Sequence, residues 1–171
     1  MKLMLVRHAD AGDADSFART GQPDHLRPLS PRGHEQMRDA VKGLRTMFAK
    51  PDVILSSPYL RATATADVIR REYELPSVVT TPVLEPEALP EDFERWMRDQ
   101  PRHDAVIVVG HEPNLSVLAS WLTAGSHVAN IEFKKGGACL LALGRRPKKG
   151  EGAMRWLMGP KELAAIGTSG G

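Results

Sequence analysis

The chain has 171 residues, of which 42% are hydrophobic and 26% charged, with a formal net charge of +2. That length suits one domain with its own core, and the charge is too small to call for a nucleic-acid partner. No stretch approaches the roughly 20 apolar residues of a membrane span, and Arg7 cuts the opening apolar run short of signal-peptide length, so a cytoplasmic protein is expected.

The apolar run 2–6 predicts a strand that delivers Arg7 and His8 at a sheet edge. Residues 9–28 lack a clean period and hold Gly12, Gly21, Pro23 and Pro28, which predicts a long loop bordering whatever His8 serves. From 32 to 48, Met37, Val41, Leu44 and Phe48 fall on one helical face, with Ser30 as N-cap and Pro31 in the first turn. The run 53–55 predicts a second strand. It leads into a helix with Ser57 as N-cap and Pro58 as first residue, so Arg61 lies in the first turn, where free amides and the helix dipole favour an anion. Ala62, Ala66, Ile69 and Tyr73 share one face of that helix.

Residues 78–80 predict another short strand, and Leu89, Phe93, Trp96 and Met97 the apolar face of a third helix. The near-continuous apolar run 105–109 suits a central strand buried on both faces. It delivers Gly110, whose missing side chain lets backbone approach a ligand, and then His111. Leu115, Leu118, Ala119 and Leu122 mark a fourth helix. Strands over 138–143 and 153–158 flank an exposed basic turn, 144–152, and the tail 168–171 is expected to fray. Cys139, the only cysteine, sits in the 138–143 run and reads as a buried core residue.

Alternating strands and amphipathic helices indicate an α/β protein, a three-layer sandwich with a mostly parallel central sheet flanked by helices and one domain over 1–171. Ligands of such sheets bind at the carboxyl ends of the strands. His8, Arg61 and His111 all follow strand ends.

An imidazole nitrogen can attack phosphorus and later pass the phosphoryl group to water, provided preorganised cations meet the charge on its oxygens. Arg7-His8 after a strand, Ser57-Pro58-x-x-Arg61-Ala62-x-x-Thr65-Ala66, and Gly110-His111 together resemble the histidine phosphatase superfamily. Asp24-x-x-Arg27-Pro28-Leu29-Ser30-x-x-Gly33 is similar to a segment of its SixA-type phosphohistidine phosphatases. The resemblance implies a phosphoglycerate mutase-like fold and a phosphorylated His8. It also implies a phosphate pocket of Arg7, Arg61 and His111, and no metal or other cofactor.

The function implied is a phosphatase acting on phosphohistidine in a protein partner, with a small-molecule phosphomonoesterase of the same superfamily as the alternative. A mutase would need a capping insertion, for which there is little room. A non-catalytic phosphate-binding module would be expected to have lost the nucleophile or a pocket cation, and all four residues are present. Arg27 is expected at the pocket rim, meeting either the phosphate or the partner's surface. For the proton donor to the leaving group, Asp24 and Glu85 are both candidates, with Glu87 beside them. His25, His34, His103 and His127 show no metal-ligand spacing. A monomer is favoured.

Overall fold

In the computed structural model, which describes residues 1–169, six strands form one sheet in the order β3-β2-β4-β1-β5-β6. They are β1 (Lys2–Arg7), β2 (Val53–Ser56), β3 (Val79–Thr80), β4 (Ala105–Gly110), β5 (Ala138–Ala142) and β6 (Ala153–Met158). The pairs β1–β4, β4–β2 and β2–β3 are parallel, and β5 alone runs against the rest, pairing antiparallel with both β1 and β6. This is the mixed, mostly parallel sheet that the alternation of elements predicts.

Strand side chains alternate between faces, and the two faces gather separate cores. Met4, Val6, Ile54, Ile107 and Val109 pack with α2 (Pro31–Met47), α3 (Leu60–Glu72) and α6 (Pro160–Ser169). Leu3, Leu5, Val106, Val108 and Cys139 pack on the other face with α4 (Pro90–Asp99) and α5 (Asn114–Ala124). Burial of Cys139 pushes its thiol pKa up to about 12, so it behaves as a small apolar residue.

Several expectations need correction. The 9–28 segment is no featureless loop: it contains the short helix α1 (Ala14–Ala18), capped by Asp13, and a 3-10 turn over Asp24–Leu26. The helix after β2 starts later than predicted, at Leu60 with Tyr59 as N-cap, and the Ser57 hydroxyl is shared between His111 Nε2 and the Tyr59 N–H, from which it accepts at 3.3 Å. Leu89 precedes α4 and is exposed, so only Phe93, Met97 and part of Trp96 carry that face. At the expected frayed tail, Thr168 and Ser169 close α6, with both hydroxyls donating to the Ala165 carbonyl, while 170–171 lie outside the described residues. At Gly110 an added Cβ would lie 3.1 Å from Leu115 Cδ2, so the missing side chain also makes room for α5.

Register explains the shared rim. Arg7 pairs with Gly110 across β1 and β4, and Ser56 with Val109 across β2 and β4. His8 and His111 therefore leave β1 and β4 at one level, and Ser57 leaves the adjacent parallel strand one residue below them. Among the described residues, no helix is long and apolar enough to cross a membrane.

Candidate active site

At that rim lies a cavity of about 470 Å³ lined by Arg7, His8, Asp24, Arg27, Arg61 and His111 among others. The structure thus brings together His8 and the three residues of the expected phosphate pocket, and Asp24 and Arg27 with them. His8, Arg61 and His111 are 5%, 4% and 2% exposed.

His8 is held by two hydrogen bonds that fix its tautomer. Its Nδ1 lies 2.7 Å from the Ala9 carbonyl, which can only accept, so Nδ1 carries the proton. Arg61 Nε lies 3.3 Å from His8 Nε2 and can only donate, so Nε2 presents a lone pair. Burial, opposed by the Ala9 bond and reinforced by Arg61, Arg7 and Arg27, lowers the His8 pKa to about 3. The ring is neutral at physiological pH.

Thr65, fully buried on α3, ties these parts together. Its hydroxyl donates to the Arg61 carbonyl at 2.7 Å and accepts from Ala9 N–H at 3.1 Å, joining the helix that carries Arg61 to the backbone that holds His8. On the opposite side Gly33 lets α2 press against the same segment: a Cβ there would lie 2.0 Å from the Asp10 carbonyl oxygen. Ser30 secures that contact, its N–H and hydroxyl both donating to Asp10, while its oxygen caps α2 by accepting from Gly33 N–H. The Ser30-x-x-Gly33 spacing therefore serves close backbone packing beside His8.

His111 packs 5.1 Å from His8, ring centroid to centroid, and its Nε2 shares a 2.8 Å hydrogen bond with Ser57 Oγ. Its Nδ1 has no partner within the described residues. Burial first, then His8 and Arg61, lower its pKa to about 3. Tyr59 closes this side, edge-on to His111 at 5.1 Å and under the Arg61 guanidinium at 5.0 Å. Arg7 is anchored by Nη1 donating to the Phe133 carbonyl, and its Nε is buried without a partner.

Asp24 binds two guanidiniums, accepting from Arg27 Nε at 2.8 Å and Arg61 Nη2 at 2.9 Å. Partial burial works to raise its pKa, but Arg27 and Arg61 together outweigh this and hold the carboxyl below its ordinary range. A carboxylate clamped in that way is a poor proton donor, which tells against the expectation for Asp24. Glu85 lines a neighbouring groove rather than this cavity, and it is Pro86 and Glu87 that reach the cavity wall. Arg27 lines the cavity as expected, with part of its guanidinium spent on Asp24 and on the Ala11 and Gly12 carbonyls.

The motifs did not flag Tyr59, Glu112 or Lys135, which also line the cavity. Burial raises the pKa of Glu112, opposed by Ser116, whose hydroxyl donates to it. Its position after His111 was the one available signal. Lys135 arrives from a segment with no periodic pattern and pairs with Asp10 at 3.1 Å.

Comparison with known proteins places this site in context. A sequence profile of the histidine phosphatase superfamily (branch 1) matches residues 3–97. An uncharacterized protein of Picosynechococcus sp. is 29% identical over 139 residues, 80% of this chain and 82% of that one. The structure of the protein histidine phosphatase SixA complexed with tungstate superposes with a TM-score of 0.77 at 25% identity, covering 95% of this chain and 99% of that one. The alpha-ribazole phosphatase of Shigella flexneri shares the fold at a TM-score of 0.65 and 18% identity, over 94% and 97% of the two chains.

Proposed function

The chain belongs to the histidine phosphatase superfamily, as a phosphatase, and from that premise we propose that it removes the phosphoryl group from phosphohistidine on a protein partner through a covalent phospho-His8 intermediate. The observation that carries this reading is His8 itself: a buried, neutral imidazole with Nδ1–H bound to Ala9 and an unprotonated Nε2 that accepts from the Arg61 guanidinium.

With the phosphoryl group in the cavity, its oxygens meet Arg7, Arg61 and His111, and the His8 Nε2 lone pair forms a bond to phosphorus. The bond from phosphorus to the substrate imidazole breaks, and that ring, already protonated from solvent on its other nitrogen, leaves as neutral imidazole. Transfer of positive charge to His8 is met by the Ala9 carbonyl on Nδ1–H. Water then attacks phospho-His8, giving inorganic phosphate and restoring the neutral ring. The preorganised guanidiniums act most strongly on charge that develops in the transition state. Arg27, at the cavity wall and bound to Asp24, contributes to the phosphate side of the pocket. The likeness to SixA supports a phosphohistidine substrate over a phosphate ester.

Rapid quenching with a phosphohistidine protein should trap one phosphoryl group on the chain, stable to alkali and labile to acid, and peptide mapping should place it on His8. His8→Ala should neither label nor turn over while keeping its fold. A turnover-competent His8→Ala, or label on another residue, would refute the assignment.

A further inference from the structure

Beside the histidine cavity runs a groove of about 550 Å³ between the 82–88 segment and one face of α4. Asp92, Trp96 and Asp99 recur on that face at i, i+4 and i+7, and Val83 and the half-buried Trp96 ring supply apolar surface. Glu85 and Glu87 rise from the opposite side. The four carboxylates face one guanidinium, Arg95, which already sits 3.0 Å from Asp92. Glu87 lines both the groove and the histidine cavity, so the two are neighbours.

We propose that this groove docks a lysine- or arginine-bearing flank of the phosphoprotein whose phosphohistidine enters the adjoining cavity, a proposal that rests on the phosphatase reading above. The groove's charge repels a phosphoryl group and attracts a cation, so it is no second phosphate subsite. Carboxylates around an indole suit a long cationic side chain, which lays its methylene stem on apolar surface and keeps its charged head among the acids. From Asp92 to Asp99 the helix rises about 10 Å, which sets the stretch of partner flank that is read. On the far side of Arg7 a separate depression mixes Arg32, Lys134, Lys135 and Lys161 with Asp10, Glu132 and Glu162, so it lacks the acidic excess that suits the same flank.

The test uses three phosphohistidine peptides that differ only in having Lys, Glu or Leu at the flanking positions, with wild type, Asp92→Lys/Asp99→Lys, and Asp99→Lys alone in case the double variant misfolds. Wild type should favour the Lys peptide over the Glu peptide in kcat/KM by about tenfold at low salt, with the preference shrinking as salt rises. The variants should lose that preference while hydrolysing free phosphoramidate at the wild-type rate. Equal rates on the Lys and Glu peptides, a preference for the Leu peptide, or an unchanged preference in the variants would overturn the proposal. So would a dimer that the variants dissolve, which would assign the groove to a second copy of the chain. Binding of the unphosphorylated peptides, followed by tryptophan fluorescence, reads the groove without catalysis. If wild type leaves phosphoramidate untouched, the phosphatase reading fails, and the order of Lys and Glu peptide binding still decides the groove.

Discussion

Acidifying the protein from pH 7.5 to 5 should remove a large part of its stability through His8 and His111. Both pKa values lie at about 3 in the fold, led by burial, against about 6.5 for an unfolded histidine. Between those values the unfolded chain binds more protons than the native one, so stability rises with pH through this window and is lost as pH falls. Each histidine then costs about 0.8 kcal/mol at pH 6 and about 2 kcal/mol at pH 5, or about 4 kcal/mol for the pair. A typical domain has only about 5–15 kcal/mol in all. Asp10, held down to about 2 chiefly by Ser30, and Asp24 act in the same direction, but only once the pH drops below about 4. Urea unfolding followed by circular dichroism at pH 7.5, 6 and 5 would measure the loss in wild type, His8→Gln and His111→Gln. Each single variant should lose about 2 kcal/mol less than wild type over this range, whatever its stability at pH 7.5. Parallel pH dependence in all three proteins would refute the buried neutral pair.

The same lowered pKa predicts that kcat/KM, which reports the free enzyme, shows no enzyme ionisation near 6.5, and a pH–rate profile with a substrate whose own titration is known would check this. Arg61→Ala should slow turnover by about a hundredfold or more, and Arg61→Lys should not restore it, because a single ammonium cannot serve His8 and both oxygen atoms of Asp24 that Arg61 meets; steady-state kinetics decides. Gly33→Ala should destabilise the chain by about 1–3 kcal/mol and depress activity with it, since its Cβ would strike the Asp10 carbonyl; denaturant melts and kinetics on one preparation would show both. Activity should survive exhaustive chelation because Arg7, Arg61 and His111 supply the donors for the phosphoryl oxygens, and dependence on an added divalent ion would overturn this.

The central strands and the rim were legible because unbroken apolar runs such as 105–109 have few other fates, and because strand ends place the next residue on the sheet's edge. Helix starts were less so. Ser57 looks like an N-cap, but its hydroxyl is bound to His111, a residue from another strand that no local pattern contains. The last helix was missed outright. Leu163 is its one fully buried large side chain, and its contact with α2 depends on Gly43, where a Cβ would lie 1.9 Å from the Leu163 carbonyl. Close backbone contact of that kind leaves no apolar stripe to read. Phe133 is fully buried in a stretch without regular structure, so its position was equally silent in the sequence, although it holds Arg7. Asp24 was identifiable as a site residue from its motif. Its bonding to two arginines, which tells against donation, is visible only once the 9–28 segment has folded over α3.

The place of β1 in the sheet also sets when a working molecule can exist. The strand that leads to His8 is synthesised long before its neighbours at Ala105–Gly110 and Ala138–Ala142. Pairing so distant in sequence delays closure of the fold until loop entropy has been overcome. A nascent chain paused before β4 would expose Leu3, Met4, Leu5 and Val6 as an unpaired apolar strand, in need of a chaperone's cover and without the rim that gives His8 its reactivity.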